Sequence, residues 1–135
     1  MKTKKLVGFS LLLFSAVLIC APTCWAKSKG YLYVVGYSFA EKKAYLSNVI
    51  MQEVRDVSYD DEEFVTDVEL LQKIEARFQK YLASDMRLTT SQYTVAVRGA
   101  YKSEAIAKAK IESEIRQYVK RGYTATVLKN FVYAD

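Results

Sequence analysis

Apolar residues recur along this chain with two different periods. In YLYVVGYS, residues 31–38, Tyr31, Tyr33, Val35 and Tyr37 share one side of a β-strand. Leu32 and Val34 take the other side, continuing into Gly36 and Ser38. AYLSNVIMQ, residues 44–52, reads as a second strand, and the short loop from Phe39 predicts an antiparallel hairpin. An acidic connector, residues 56–67, comes next. From there the period changes. Val68, Leu71, Ile74 or Glu75, Phe78 and Leu82 recur at three and four residues, which predicts a helix ending near Ser84. SQYTVAVRG, residues 91–99, alternates Tyr93, Val95 and Val97 against Thr94, Ala96 and Arg98, as a half-buried strand does. Ser103 is placed to cap a second helix with an apolar stripe of Ala107, Ile111, Ile115 and Val119. Lys120 and Arg121 in its last turn and Gly122 after it suit the helix dipole and a C-cap. Residues 123–133 make the closing strand.

The order β-β-α-β-α-β gives four strands and two helices with one apolar stripe each. The economical arrangement is α+β, a two-layer sandwich: a four-stranded sheet with both helices on one face. The last three elements suit a right-handed βαβ crossover.

The first 26 residues do not belong to that pattern. Lys2, Lys4 and Lys5 precede an apolar run, residues 6–20, that is shorter than the ~20 residues a membrane-spanning helix needs. Pro22 breaks it, and Cys24-Trp25-Ala26 puts small residues three and one before Lys27. These are the parts of a secretory signal peptide, so residues 1–26 are expected to be removed and 27–135 to form one domain. An uncleaved anchor fits the short run poorly. Lipid modification of Cys20 is disfavoured by bulky Ile19. The Cys20/Cys24 spacing is not that of metal ligands, and no His is present to complete a shell. Export to the periplasm or beyond follows, with membrane contact only through the leader.

Removing the leader changes the charge. Three of the twenty Lys and Arg leave with it, so seventeen face fifteen Asp and Glu. That small excess, and export, argue against a nucleic-acid partner. Residues 27–135 also contain no Cys, His, Trp or Pro. Imidazole and thiol catalysis, disulfides and ordinary zinc or copper sites are therefore closed to the mature chain. The expectation is a non-enzyme with no metal and no cofactor.

All eleven tyrosines lie after the leader. With both helices on one face, Tyr31, Tyr33 and Tyr37 would decorate the open face, joined by Tyr45 or Tyr93 according to register. Such a surface suits a glycan or protein partner. The alternative is ordinary cross-strand pairing of aromatic rings. In the acidic connector, Asp60, Asp61, Glu62 and Glu63 offer carboxylates for a hydrolase, but acidic residues ahead of a helix also complement its dipole, and Asp60 or Asp61 can cap it. Arg87 and Arg98 could bind a carboxylate or phosphate, but a lone Arg on a strand is more often a surface or cross-strand ion-pair residue. The charges of AIAKAKIESEIRQ, residues 105–117, read as a solvated helix face.

YTVAVRGAYKSEAIA followed by KRGYTATV resembles half of a SPOR domain, the envelope module that binds peptidoglycan glycan strands. The shared features are a strand, a small-residue turn, an Ala-rich helix and a Gly-aromatic turn into another strand. The similarity spans roughly a third of the mature chain, in a βαβ pattern many folds share. The helix before Gly122 is longer than the family's, and the acidic connector has no counterpart there. The resemblance implies glycan binding, while the residues alone imply an exported envelope binding protein acting through Tyr31, Tyr33, Tyr37 and Tyr93. Its partner would be an envelope protein or a glycan.

Overall fold

The structure is a computed structural model, and it describes residues 26–134. The expected signal peptide, with Cys20 and Cys24, lies outside the described residues. Among the described residues no helix is long and apolar enough to cross a membrane.

The fold is α+β, with two helices packed on a mixed sheet. β1 (Lys27–Ser38) is its centre, pairing antiparallel with β2 (Lys43–Ser47), β3 (Ile50–Arg55) and β4 (Thr94–Tyr101). β5 (Thr124–Leu128) adds parallel to β2. The expected second strand is present but interrupted, which gives five strands where four were expected. Val35 pairs with Leu46, whereas Leu32 pairs with Ile50, so one extra residue is inserted opposite β1. Ser47 repairs the broken ladder. Its buried hydroxyl accepts from Val34 N at 2.9 Å and donates to Asn48 O at 2.8 Å.

A second irregularity lies on β4, between the pairs Tyr33↔Arg98 and Tyr31↔Tyr101. Gly99 sits there at φ +113°, and a Cβ would come within 2.8 Å of Tyr31 O. Only glycine fits both conditions. From the pairings, β4 and β5 run in the same direction, so the helix between them crosses over β1 and β2.

Both helices are capped by side chains, the second as expected and the first by a residue closer to it than expected. Asp67 caps α1 (Val68–Ser84), its carboxylate accepting from Glu69 N at 3.2 Å, so the cap is nearer the helix than Asp60 or Asp61. Ser103 caps α2 (Glu104–Lys120), accepting from Ile106 N at 3.1 Å. Their positions differ from expectation. The core cluster against α1's Ile74, Phe78 and Leu82 holds Leu32 and Val34, while Ala107, Ile111 and Tyr118 of α2 meet Tyr33 and Val35. Successive residues of a strand point to opposite faces. The two helices therefore lie on opposite faces, not on one, and the sandwich has three layers. No open tyrosine face exists beneath α2.

Two smaller differences follow from packing. Val119 is exposed, and the buried stripe of α2 continues through Tyr118 instead. The last strand ends at Leu128, where a turn at residues 129–130 brings Phe131 back onto α1. Its ring meets Phe78 edge-on at 5.0 Å.

Candidate functional site

Between α2 and the β4 side of the sheet is an open cleft of about 460 Å³. Its floor comes from β1 and β4: Tyr33, Arg98 and Tyr101. Its wall is one side of α2, where Lys110, Ser113, Glu114, Gln117, Tyr118 and Arg121 follow at helical spacing. Strand periodicity places Tyr33 and Arg98 as a cross-strand pair, and the helix period sets Glu114 above both.

Glu114 organises the interior. Tyr33 donates its phenol to Glu114 Oε1 at 2.6 Å. The Arg98 guanidinium grips the same carboxylate at both oxygens, Nε at 3.3 Å and Nη2 at 3.2 Å. Such a two-pronged pair fixes geometry as well as charge. Burial pulls the Arg98 guanidinium down, but its bonds and charge attraction to Glu114 outweigh this, and the net direction is up. Burial, reinforced by Glu114, pushes the Tyr33 phenol far above its ordinary value. Tyr118 is pushed up to about 12 by burial and then by the Glu114 charge. Tyr101 rises through burial and then Glu63. The three phenols thus keep their protons at any physiological pH.

The rim differs from the interior. Lys110 reaches Glu62 of the acidic connector at 3.1 Å, with both side chains about half exposed. The Arg121 side chain is exposed and has no ion-pair partner among the described residues. Of the cleft's three cations, Arg98 is paired with Glu114 and Lys110 with Glu62 at the rim, which leaves Arg121 as the cation without an ion-pair partner among the described residues. The cleft offers a seat for negative charge, with phenol, hydroxyl and amide groups around it.

The four tyrosines expected to form a surface do not converge. Tyr33 lines the cleft, but only 2% of it is exposed, so its ring is core and only its hydroxyl reaches the polar interior. Its ring stacks on Tyr101 at 6.2 Å. Tyr31 and Tyr37 are half-buried on the same face, Tyr37 lying 6.0 Å from Tyr118. Tyr93 is on the other face, against Tyr45 at 5.9 Å, and donates to Glu41 Oε2 at 2.6 Å.

The acidic connector is built into the structure. Asp60 Oδ1 accepts from Glu62 N at 2.7 Å and from Glu63 N at 2.8 Å, closing a turn. Burial, then the Asp60 charge, pushes Glu63 above the usual carboxylate range. Phe64 N bonds Ala100 O at 2.8 Å and Lys102 N bonds Glu62 O at 2.8 Å, so the connector covers that end of the β4 edge.

Sequence reasoning missed Lys110, Ser113, Glu114, Gln117, Tyr118 and Arg121. The signal was present. Lys110, Glu114, Gln117 and Arg121 recur at three and four residues beside Ala107, Ile111 and Tyr118, so they flank the buried stripe rather than oppose it. Arg98 was read as an ion-pair residue and is one, though its partner comes from α2.

No family model, no curated protein and no solved structure matches this chain.

Proposed function

We propose that this is an exported, non-enzymatic binding protein of the cell envelope or exterior, whose ligand seats an anionic group in the α2 cleft. One observation carries the reading. Arg98, Lys110 and Arg121 line a single cleft with three protonated phenols; Arg98 neutralises Glu114, Lys110 is shared with Glu62 at the rim, and Arg121 is left uncompensated among the described residues. A concave site with a few convergent polar groups is the usual form of a small-ligand pocket. A non-enzymatic role is supported by the lack of Cys and His after residue 26 and by Glu114, which is held by two donors rather than aimed at the cleft mouth. Export rests on the leader's composition alone.

The test is calorimetric titration of the purified protein with galacturonate and inorganic phosphate, each beside neutral galactose. At least one anion is expected to bind while galactose does not. Replacing Lys110 and Arg121 by Ala together, at partly exposed and exposed positions outside the core, is expected to weaken that binding by about tenfold or more. Equal binding by the double variant, or silence from both anions, contradicts the site.

A further inference from the structure

The cleft has a continuation. Tyr118, which lines it, packs its ring 5.2 Å from that of Tyr123, just past the end of α2. Lys42, in the β1–β2 turn, holds its ammonium 5.0 Å from the centre of the Tyr123 ring and 4.2 Å from that of Phe39. Phe39 is 75% exposed, and Tyr123 is half-buried. A single exposed ring is unremarkable on a protein surface. Here it is the last member of a series, and the series alternates cation and ring outward from the cleft: Arg121, Tyr123, Lys42, Phe39. Lys42, like Arg121, has no carboxylate partner among the described residues.

Building on the anion seat proposed above, we infer that the ligand is an acidic oligosaccharide laid along this track. One acidic sugar occupies the cleft. The next ring stacks on exposed Phe39, and Lys42, which lies over the Phe39 and Tyr123 rings, meets a second acid group. Two features favour a sugar over a nucleic acid. The cleft's own rings, Tyr33, Tyr101 and Tyr118, are buried, so bases have little exposed ring to stack on there. Its remaining neutral groups, Ser113 and Gln117, are matched to a ligand rich in hydroxyls.

The experiment is a length series: galacturonate, its dimer and its tetramer, titrated into the wild type and into a Phe39→Ala, Lys42→Asn double variant. Asn is chosen because Lys42 has φ 55°, a conformation Asn tolerates. The tetramer is expected to bind about tenfold or more tighter than the monomer, and the variant to lose that gain while keeping monomer affinity. A tetramer no tighter than the monomer overturns the track, as does a gain that the variant retains. So does equal binding of an oligothymidylate of matched charge. A wild type that binds the monomer but shows a flat series removes the track alone. If neither galacturonate at any length nor inorganic phosphate binds, the cleft reading falls first; if phosphate binds and galacturonate of no length does, the sugar track is overturned and the anion seat stands.

Discussion

One strand, β1, builds both faces of the sheet, and the two faces use it differently. Toward α1 it presents Leu32 and Val34 and leaves room at Gly36, where a Cβ would stand 2.9 Å from Leu82 and 3.2 Å from Phe78. Large rings from α1 and the C-terminal segment close that side. Toward α2 the same strand presents Tyr33 and Val35, and the apolar partners include small ones: Ala44, Ala107, and at the margin Ala96 and Ala125. A charged pair and three phenols share that face with the core. Close packing of large side chains stabilises the first face, since burying one such side chain contributes about 1.5–3 kcal/mol. The second face gives up some apolar volume and holds the cleft proposed as the site. On that proposal, stability and binding are divided between the two sides of one strand.

The sharpest way to break this comparison is to remove a ring from the α1 face. Phe78→Ala is expected to cost about 3–5 kcal/mol, a large part of what a domain of this size has. The matched pair Ile74→Ala on the α1 face and Ile111→Ala on the α2 face should fall toward the upper and lower ends of about 2–5 kcal/mol. Denaturant unfolding of the matched pair measures the contrast, and equal losses would erase it.

Next in size is the polar network. Glu114→Gln leaves Arg98 without its counter-charge and weakens the Tyr33 bond. We expect a loss of about 1–2 kcal/mol, near the lower end for buried charged bonds because Arg98 is partly exposed. In a double-mutant cycle with Arg98→Leu, the two losses should not add.

The two faces were not equally legible in the sequence. Both helices, the cap of the second, the hairpin and the α+β class follow from the apolar periods that begin at Val68 and Ala107 and from Ser103, whereas the cap at Asp67 was not singled out. The run Leu32-Tyr33-Val34-Val35 also announced a strand covered on both sides, because such strands read as continuous apolar runs rather than alternations. Treating its tyrosines as solvent-facing obscured that. The inserted residue between β2 and β3 was not legible, since bulges leave little mark beyond Ser47 and Asn48. Nor was the cleft, because Glu114 becomes distinct only when the crossover sets α2 above Arg98 and Tyr33.

Alkaline pH gives a smaller and more gradual effect. Tyr118 is held at about 12, above the ~10 of an unperturbed tyrosine, and Tyr33 is shifted in the same direction. The folded state therefore keeps protons that the unfolded chain releases. That contribution is whole below about pH 10 and is lost as pH rises through about 12. Tyr118→Phe should flatten the fall in stability across this window, as unfolding at stepped pH would show. An unchanged slope would mean that Tyr118 does not titrate with folding.

The smallest effect is expected at the track. Phe39→Ala should leave stability within about 0.5 kcal/mol, since its ring is mostly in solvent. Thermal melting of that variant separates a binding surface from a packing residue.

The most direct measurement for the division between faces is amide chemical-shift mapping during titration with galacturonate. If the α2 face holds the site, the shifts gather on Lys110, Ser113, Gln117 and Arg121, while Ile74, Phe78 and Leu82 stay still. Shifts gathered on the α1 side, or none anywhere with galacturonate or with inorganic phosphate, would contradict the account.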